Sequence, residues 1–133
     1  FFFHAQDGIR DFCLSRGLGD VYKRQFINPS INDIKTSYKL GSDCVEIHTG
    51  RLSRLVKLKK NYSKELNRIK KCSIIAKKIG LEVHAGHGLD YKTTELLSRF
   101  KEIEEFNIGH YLIGESVFFG LSKVIKKFKK IIK

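Results

Sequence analysis

Five polar side chains fall at the ends of three short apolar runs. They are Glu46 and His48 in Val45-Glu46-Ile47-His48, His84 and His87 in Val83-His84-Ala85-Gly86-His87, and His110 after Phe106-Asn107-Ile108-Gly109. Glycine-containing turns close the runs: Thr49-Gly50, Gly86-His87-Gly88 and Gly109-His110. An imidazole titrates close to working pH and suits proton transfer. Glycine lets the backbone come close to a ligand and leaves its N–H groups available. His87, between two glycines, is the foremost candidate for acid–base or ligand work; the alternative is a hydrogen bond that steadies the loop. Glu46, inside an apolar run, is the candidate carboxylate, with a buried salt bridge as its alternative. His110 opens a helix, where it either donates to a phosphate or caps the helix. His48 and His84 read as structural partners of neighbouring polar groups.

These residues need elements that bring them to one place. Cys44–His48, Leu81–Ala85 and Glu105–Ile108 alternate as strands, so Glu46 and His48 share one face while Val45 and Ile47 share the other. Glu82 and His84 likewise oppose Leu81, Val83 and Ala85, and Asn107 opposes Phe106 and Ile108. Phe26–Ser30 reads as the end of an earlier strand. Helices are expected from Ser30 or Asn32 to Leu40, from Tyr62 to Ile79, from Asp90 or Thr93 to Phe100, and from Tyr111 to Lys133, with a basic stretch after Gly50. Strand and helix alternate throughout, which predicts right-handed βαβ units and a parallel sheet. The fold class is α/β, the C-terminal half of a (β/α)8 TIM barrel. A complete barrel needs about 250 residues, and the chain has 133. Polar residues at strand C-terminal ends mark the active face of such barrels, and a helix N-terminus after the final strand suits phosphate.

Composition sets limits. The net charge is +12, from 26 Lys and Arg against 14 Asp and Glu. Such a charge attracts phosphates, but the lysines fall in helical runs without interleaved aromatics and read as a solvated surface. Cys13, Cys44 and Cys72 form no CxxC pair and suggest no disulfide framework, which fits a reducing cytoplasm. No apolar run reaches the roughly 18 residues of a membrane helix. Residues 1–25 show no sustained period, and Asp20-Val21-Tyr22-Lys23-Arg24-Gln25 looks like a translated sequencing adaptor. The expected division is therefore 1–25 as a non-native segment and 26–133 as part of a barrel domain.

Several strings together resemble the pyridoxine 5′-phosphate synthase family: Phe26-Ile27-Asn28-Pro29; Val45-Glu46-Ile47-His48-Thr49-Gly50; Val83-His84-Ala85-Gly86-His87-Gly88-Leu89; and Phe106-Asn107-Ile108-Gly109-His110, continued by Leu112-Ile113-Gly114 and Phe119-Gly120-Leu121. They match in order and spacing. The resemblance implies a transferase of vitamin B6 biosynthesis. It condenses 3-amino-2-oxopropyl phosphate with 1-deoxy-D-xylulose 5-phosphate to pyridoxine 5′-phosphate, phosphate and water. It implies no organic cofactor, no metal, a cytoplasmic location and a homo-oligomer in the intact family. By the same resemblance His87 is the proton donor and Glu46 the transition-state stabiliser. Gly88, Gly109 and His110 hold the aminoketone phosphate. Two departures stand out: His84 where the family usually has Asn, and Arg51-Leu52-Ser53 where a Tyr-Ala pair commonly follows Thr49-Gly50. The family's proton acceptors and much of its deoxyxylulose phosphate site lie on earlier strands, so the fragment alone is expected to be inactive. Two other readings remain open: another phosphosugar barrel enzyme, such as an isomerase or epimerase, with or without a metal, and a basic nucleic-acid-binding module. The polar residues inside strands argue against the latter, and the resemblance implies no nucleic-acid or membrane partner.

Overall fold

The structure, a computed structural model, describes residues 2–4 and 22–132. Cys13 and most of the segment expected to be foreign lie outside the described residues. The elements run β1 (Phe2–His4), β2 (Arg24–Ile27), α1 (Ile31–Lys39), β3 (Cys44–His48), α2 (Gly50–Lys57), α3 (Ser63–Lys78), β4 (Glu82–Gly86), α4 (Tyr91–Leu97), β5 (Glu105–Asn107), α5 (His110–Phe119) and α6 (Leu121–Ile131). The sheet order is β1-β5-β4-β3-β2. β2 to β5 are mutually parallel, and β1 pairs with β5 antiparallel. The expected alternation of four parallel strands with helices is what the chain forms, the arrangement of a partial TIM barrel.

Local chemistry explains the boundaries. Ser30 caps α1 by accepting from the Asp33 N–H at 3.4 Å, and Gly41 ends it at φ +70°. Asp90 caps α4 by accepting from the Thr93 N–H at 2.7 Å. The sheet separates its two faces by register. Val45, Ile47, Val83, Ala85 and Phe106 join a buried core with Ile34, Leu52, Val56, Ile69, Ala76, Leu112, Val124 and Phe128 from the helices. The other face carries Arg24 and Phe26 on β2, Cys44, Glu46 and His48 on β3, Glu82, His84 and Gly86 on β4, and Glu105 and Asn107 on β5.

Three elements differ from expectation. The basic stretch after Thr49 is a helix, α2, whose Leu52, Ser53 and Val56 are buried. The C-terminal helix is two helices, broken at Gly120, where φ is +79° and ψ 139°. β2 begins at Arg24, two residues before the expected native start. β1 pairs antiparallel along the β5 edge.

Candidate active site

The site grows from three turns at one end of the parallel strands. β3 ends in Thr49-Gly50 and β4 in Gly86-His87-Gly88. Thr49 locks the two together: its N–H donates to the Gly86 carbonyl at 2.8 Å, and its hydroxyl donates to the Gly86 and His87 carbonyls at 2.9 and 2.8 Å. His87 is held at φ +73°, a left-handed conformation uncommon for a side chain with a Cβ. Its ring stacks on His48, centroids 4.5 Å apart and planes 27° from parallel. Phe26 closes on His48 edge-on at 5.3 Å. Gly50 is what admits the stack, because a Cβ there would stand 2.8 Å from both His48 Cε1 and His87 Cδ2.

Glu46 occupies a slot made by another glycine. A Cβ on Gly86 would lie 1.9 Å from Glu46 Oε1 and 3.2 Å from the Asn107 Cβ. The carboxylate therefore crosses β4 over Gly86 toward β5. On its other side Arg24 Nε lies 3.6 Å from Glu46 Oε2. Burial raises the Glu46 carboxyl above the usual carboxylate range, opposed by the Arg24 guanidinium, the Asn107 amide and the two imidazoles. Burial, then the neighbouring His87, lowers the His48 imidazole, while Glu46 and Glu65 pull it back up. His48 is thereby biased to the neutral form beside His87.

Deeper along the same face runs a network of ionisable groups. Arg24 Nη1 lies 3.3 Å from Glu105 Oε1, and His84 Nδ1 lies 3.3 Å from the same oxygen without hydrogen-bond alignment. His84 Nε2 meets Glu82 Oε1 at 3.1 Å, and the Tyr22 hydroxyl donates to Glu82 Oε2 at 3.0 Å. Burial raises Glu105 and Tyr22, and pushes the Cys44 thiol up to about 12, so Cys44 stays protonated. His84 is the structural partner that its position suggested. Cys44 and Cys72 are free and buried.

The structure thus brings Glu46, His87 and Gly88 together with His48, Gly50 and Gly86. Gly109 caps α5 and His110 begins it, two and three residues after Asn107; both are open on this end of the sheet, and a Cβ on Gly109 would meet nothing within 4 Å. Arg24 escaped sequence reasoning because it stands in the segment 1–25 set aside as adaptor-derived, yet it is the first residue of β2. The stack escaped because it depends on Gly50. Arg51, expected in a loop, stands on the first turn of α2 with its Nε 3.7 Å from Glu65 Oε2 on α3. Among the described residues no three His, Cys, Asp or Glu side chains gather as a metal site, and no helix is long and apolar enough to cross a membrane.

Parallel strands alternating with helices, with a carboxylate and imidazoles at the strand ends beside glycine turns, define an enzyme-type barrel site. Residues 4–133 match the family model described as pyridoxal phosphate biosynthesis protein PdxJ, and the chain belongs to that family. It is 58% identical over 106 residues to a pyridoxine 5′-phosphate synthase of Pelagibacter ubique, covering 80% of this chain and 44% of that protein. It is 43% identical over 126 residues to the synthase of a Sulfurihydrogenibium species, covering 95% and 51%. The synthase of Geobacter sulfurreducens is 37% identical over 115 residues, covering 86% and 48%. The chain spans about half the length of the curated relatives it matches.

Proposed function

We propose that this chain forms part of a pyridoxine 5′-phosphate synthase, which condenses 3-amino-2-oxopropyl phosphate with 1-deoxy-D-xylulose 5-phosphate and releases pyridoxine 5′-phosphate, phosphate and water. His87 serves as proton donor in expelling a leaving group. Glu46 stabilises the transition state. Gly88, Gly109 and His110 hold the aminoketone phosphate at the start of α5, where the helix N-terminus favours an anion. The observation that carries this reading is the packing of Glu46 over Gly86, one residue before His87. It joins a partly buried carboxylate to an exposed imidazole at a strand end. A carboxylate in that slot stabilises positive charge developing on a reactant more strongly than it would in water.

The remaining machinery is proposed to lie on other strands, so the 133-residue chain alone forms no pyridoxine 5′-phosphate. Residues 1–25 are proposed to be adaptor-derived, and genomic DNA read independently upstream of Phe26 tests this by continuing in frame into the missing strands or failing to. For the activity, residues 26–133 are joined to the N-terminal half of the Pelagibacter ubique relative. The expected result is pyridoxine 5′-phosphate formation that falls about 10²- to 10⁴-fold in His87→Gln. An inactive, folded chimera, or full activity in His87→Gln, overturns the proposal.

A further inference from the structure

Among the described residues at this end of the sheet, Asn107 is a polar side chain without a role in the proposed reaction. It pairs in register with Gly86 across β4 and β5, and the missing Gly86 side chain is what lets the Glu46 carboxylate approach it. Both Asn107 amide atoms are buried, and neither completes a hydrogen bond among the described residues. Leaving such groups unmet disfavours the folded state, so buried amides are ordinarily paired. Here the amide leans toward Glu46 closely enough to counter the rise in its carboxyl, yet stops short of hydrogen-bond geometry.

We propose that Asn107 is a positioning residue for Glu46 that also receives a hydrogen-bond donor of the reactant, a hydroxyl or an amine. This rests on the reading of Glu46 as a site carboxylate given above. An amide offers N–H donors at one end and an acceptor at the other. Glu46 attracts the Nδ2 end, which leaves Oδ1 to accept. A carboxylate and an amide oxygen side by side form an acceptor pair. That pair suits N–H or O–H groups and repels phosphate, which is left to the α5 end of the site. The arrangement thus divides the reactant: its anionic end at Gly109-His110, its donor groups at Glu46-Asn107. The other ionisable groups facing Glu46 are Arg24 on β2, His48 on β3, His84 on β4, His87 after it and Glu105 on β5.

The test uses the 133-residue chain with ¹³C-labelled glutamate, the Glu46 carboxyl signal being assigned through Glu46→Gln. Its titration midpoint is expected to rise in Asn107→Ala and to rise further in Asn107→Asp, which keeps the side-chain shape but adds a like charge. An unmoved midpoint in both folded variants overturns the positioning role; if the alanine variant does not fold, the aspartate variant alone decides. Binding is measured with pyridoxine 5′-phosphate and with inorganic phosphate as probes. Asn107→Ala is expected to weaken the first about tenfold, the effect of losing one hydrogen bond, and to leave the second unchanged. Equal losses for both probes, or none, overturn the contact. A 133-residue chain that binds neither probe overturns the contact, while the titration still decides the positioning role and the chimera decides the functional reading.

Discussion

At the residue scale the site depends on side chains that are missing. Gly50→Ala forces apart the His48–His87 stack, since its Cβ would sit 2.8 Å from each ring. Overpacking of this kind costs about 1–3 kcal/mol. That cost is expected to shrink in a His48→Ala background, so a double-mutant cycle in urea denaturation should show coupling between the two positions. Additive effects would mean that the stack does not constrain Gly50. Ionisation gives a second expectation. His48 is lowered by burial, so its contribution is present above the ordinary imidazole value and is lost as pH falls through the depressed one. Glu46 is raised by burial, so its contribution is present when the carboxyl is protonated and is lost as pH rises through the elevated value. Urea midpoints measured against pH should therefore lose their acid-side decline in His48→Gln. In Glu46→Gln they should lose the decline that sets in at the usual carboxylate value and is complete above the elevated one.

At the element scale, strand faces were legible because alternation in β3 and β4 separates Val45, Ile47, Val83 and Ala85 from Glu46, His48 and His84. Caps were legible too: Ser30 and Asp90 stand where their side chains accept from the third residue beyond. α2 was not legible. It opens on a glycine, and the hydroxyl that would ordinarily cap it, that of Thr49, donates instead to the carbonyls of the β4 turn. The break between α5 and α6 was hidden for a related reason. Phe119-Gly120-Leu121 is apolar on both sides, and a lone glycine within a helical pattern does not disclose its backbone angles. Those angles make a prediction. No atom lies within 4 Å of a Cβ on Gly120, so Gly120→Ala meets only the backbone penalty of φ +79°. The expected loss is about 1–3 kcal/mol, read from thermal or urea unfolding. An unchanged or raised stability would show that α5 and α6 can join as one helix.

At the scale of the whole molecule, charge and apolar surface oppose each other. The chain carries +12, which favours separation of copies at low salt. Yet α5 turns Ile113, Val117, Phe118 and Phe119 outward, with Val117 79% and Phe118 82% exposed, and Leu121 follows them at the start of α6. Contiguous apolar surface of this kind associates when nothing restrains it. Salt changes the balance in a known direction: it screens the like charges, with a Debye length of about 10 Å at 0.1 M, and leaves the apolar contact intact. Self-association of the 133-residue chain is therefore expected to strengthen with ionic strength in analytical ultracentrifugation. Binding to a nucleic acid through the same net charge would instead weaken steeply as salt rises. Val117→Lys with Phe118→Glu leaves the net charge unchanged while replacing the two most exposed apolar side chains of α5. That double variant should stay monomeric over the same salt range. Association that persists in it would move the contact away from α5, and association that falls with salt would mean that opposite charges, rather than apolar surface, hold the copies together.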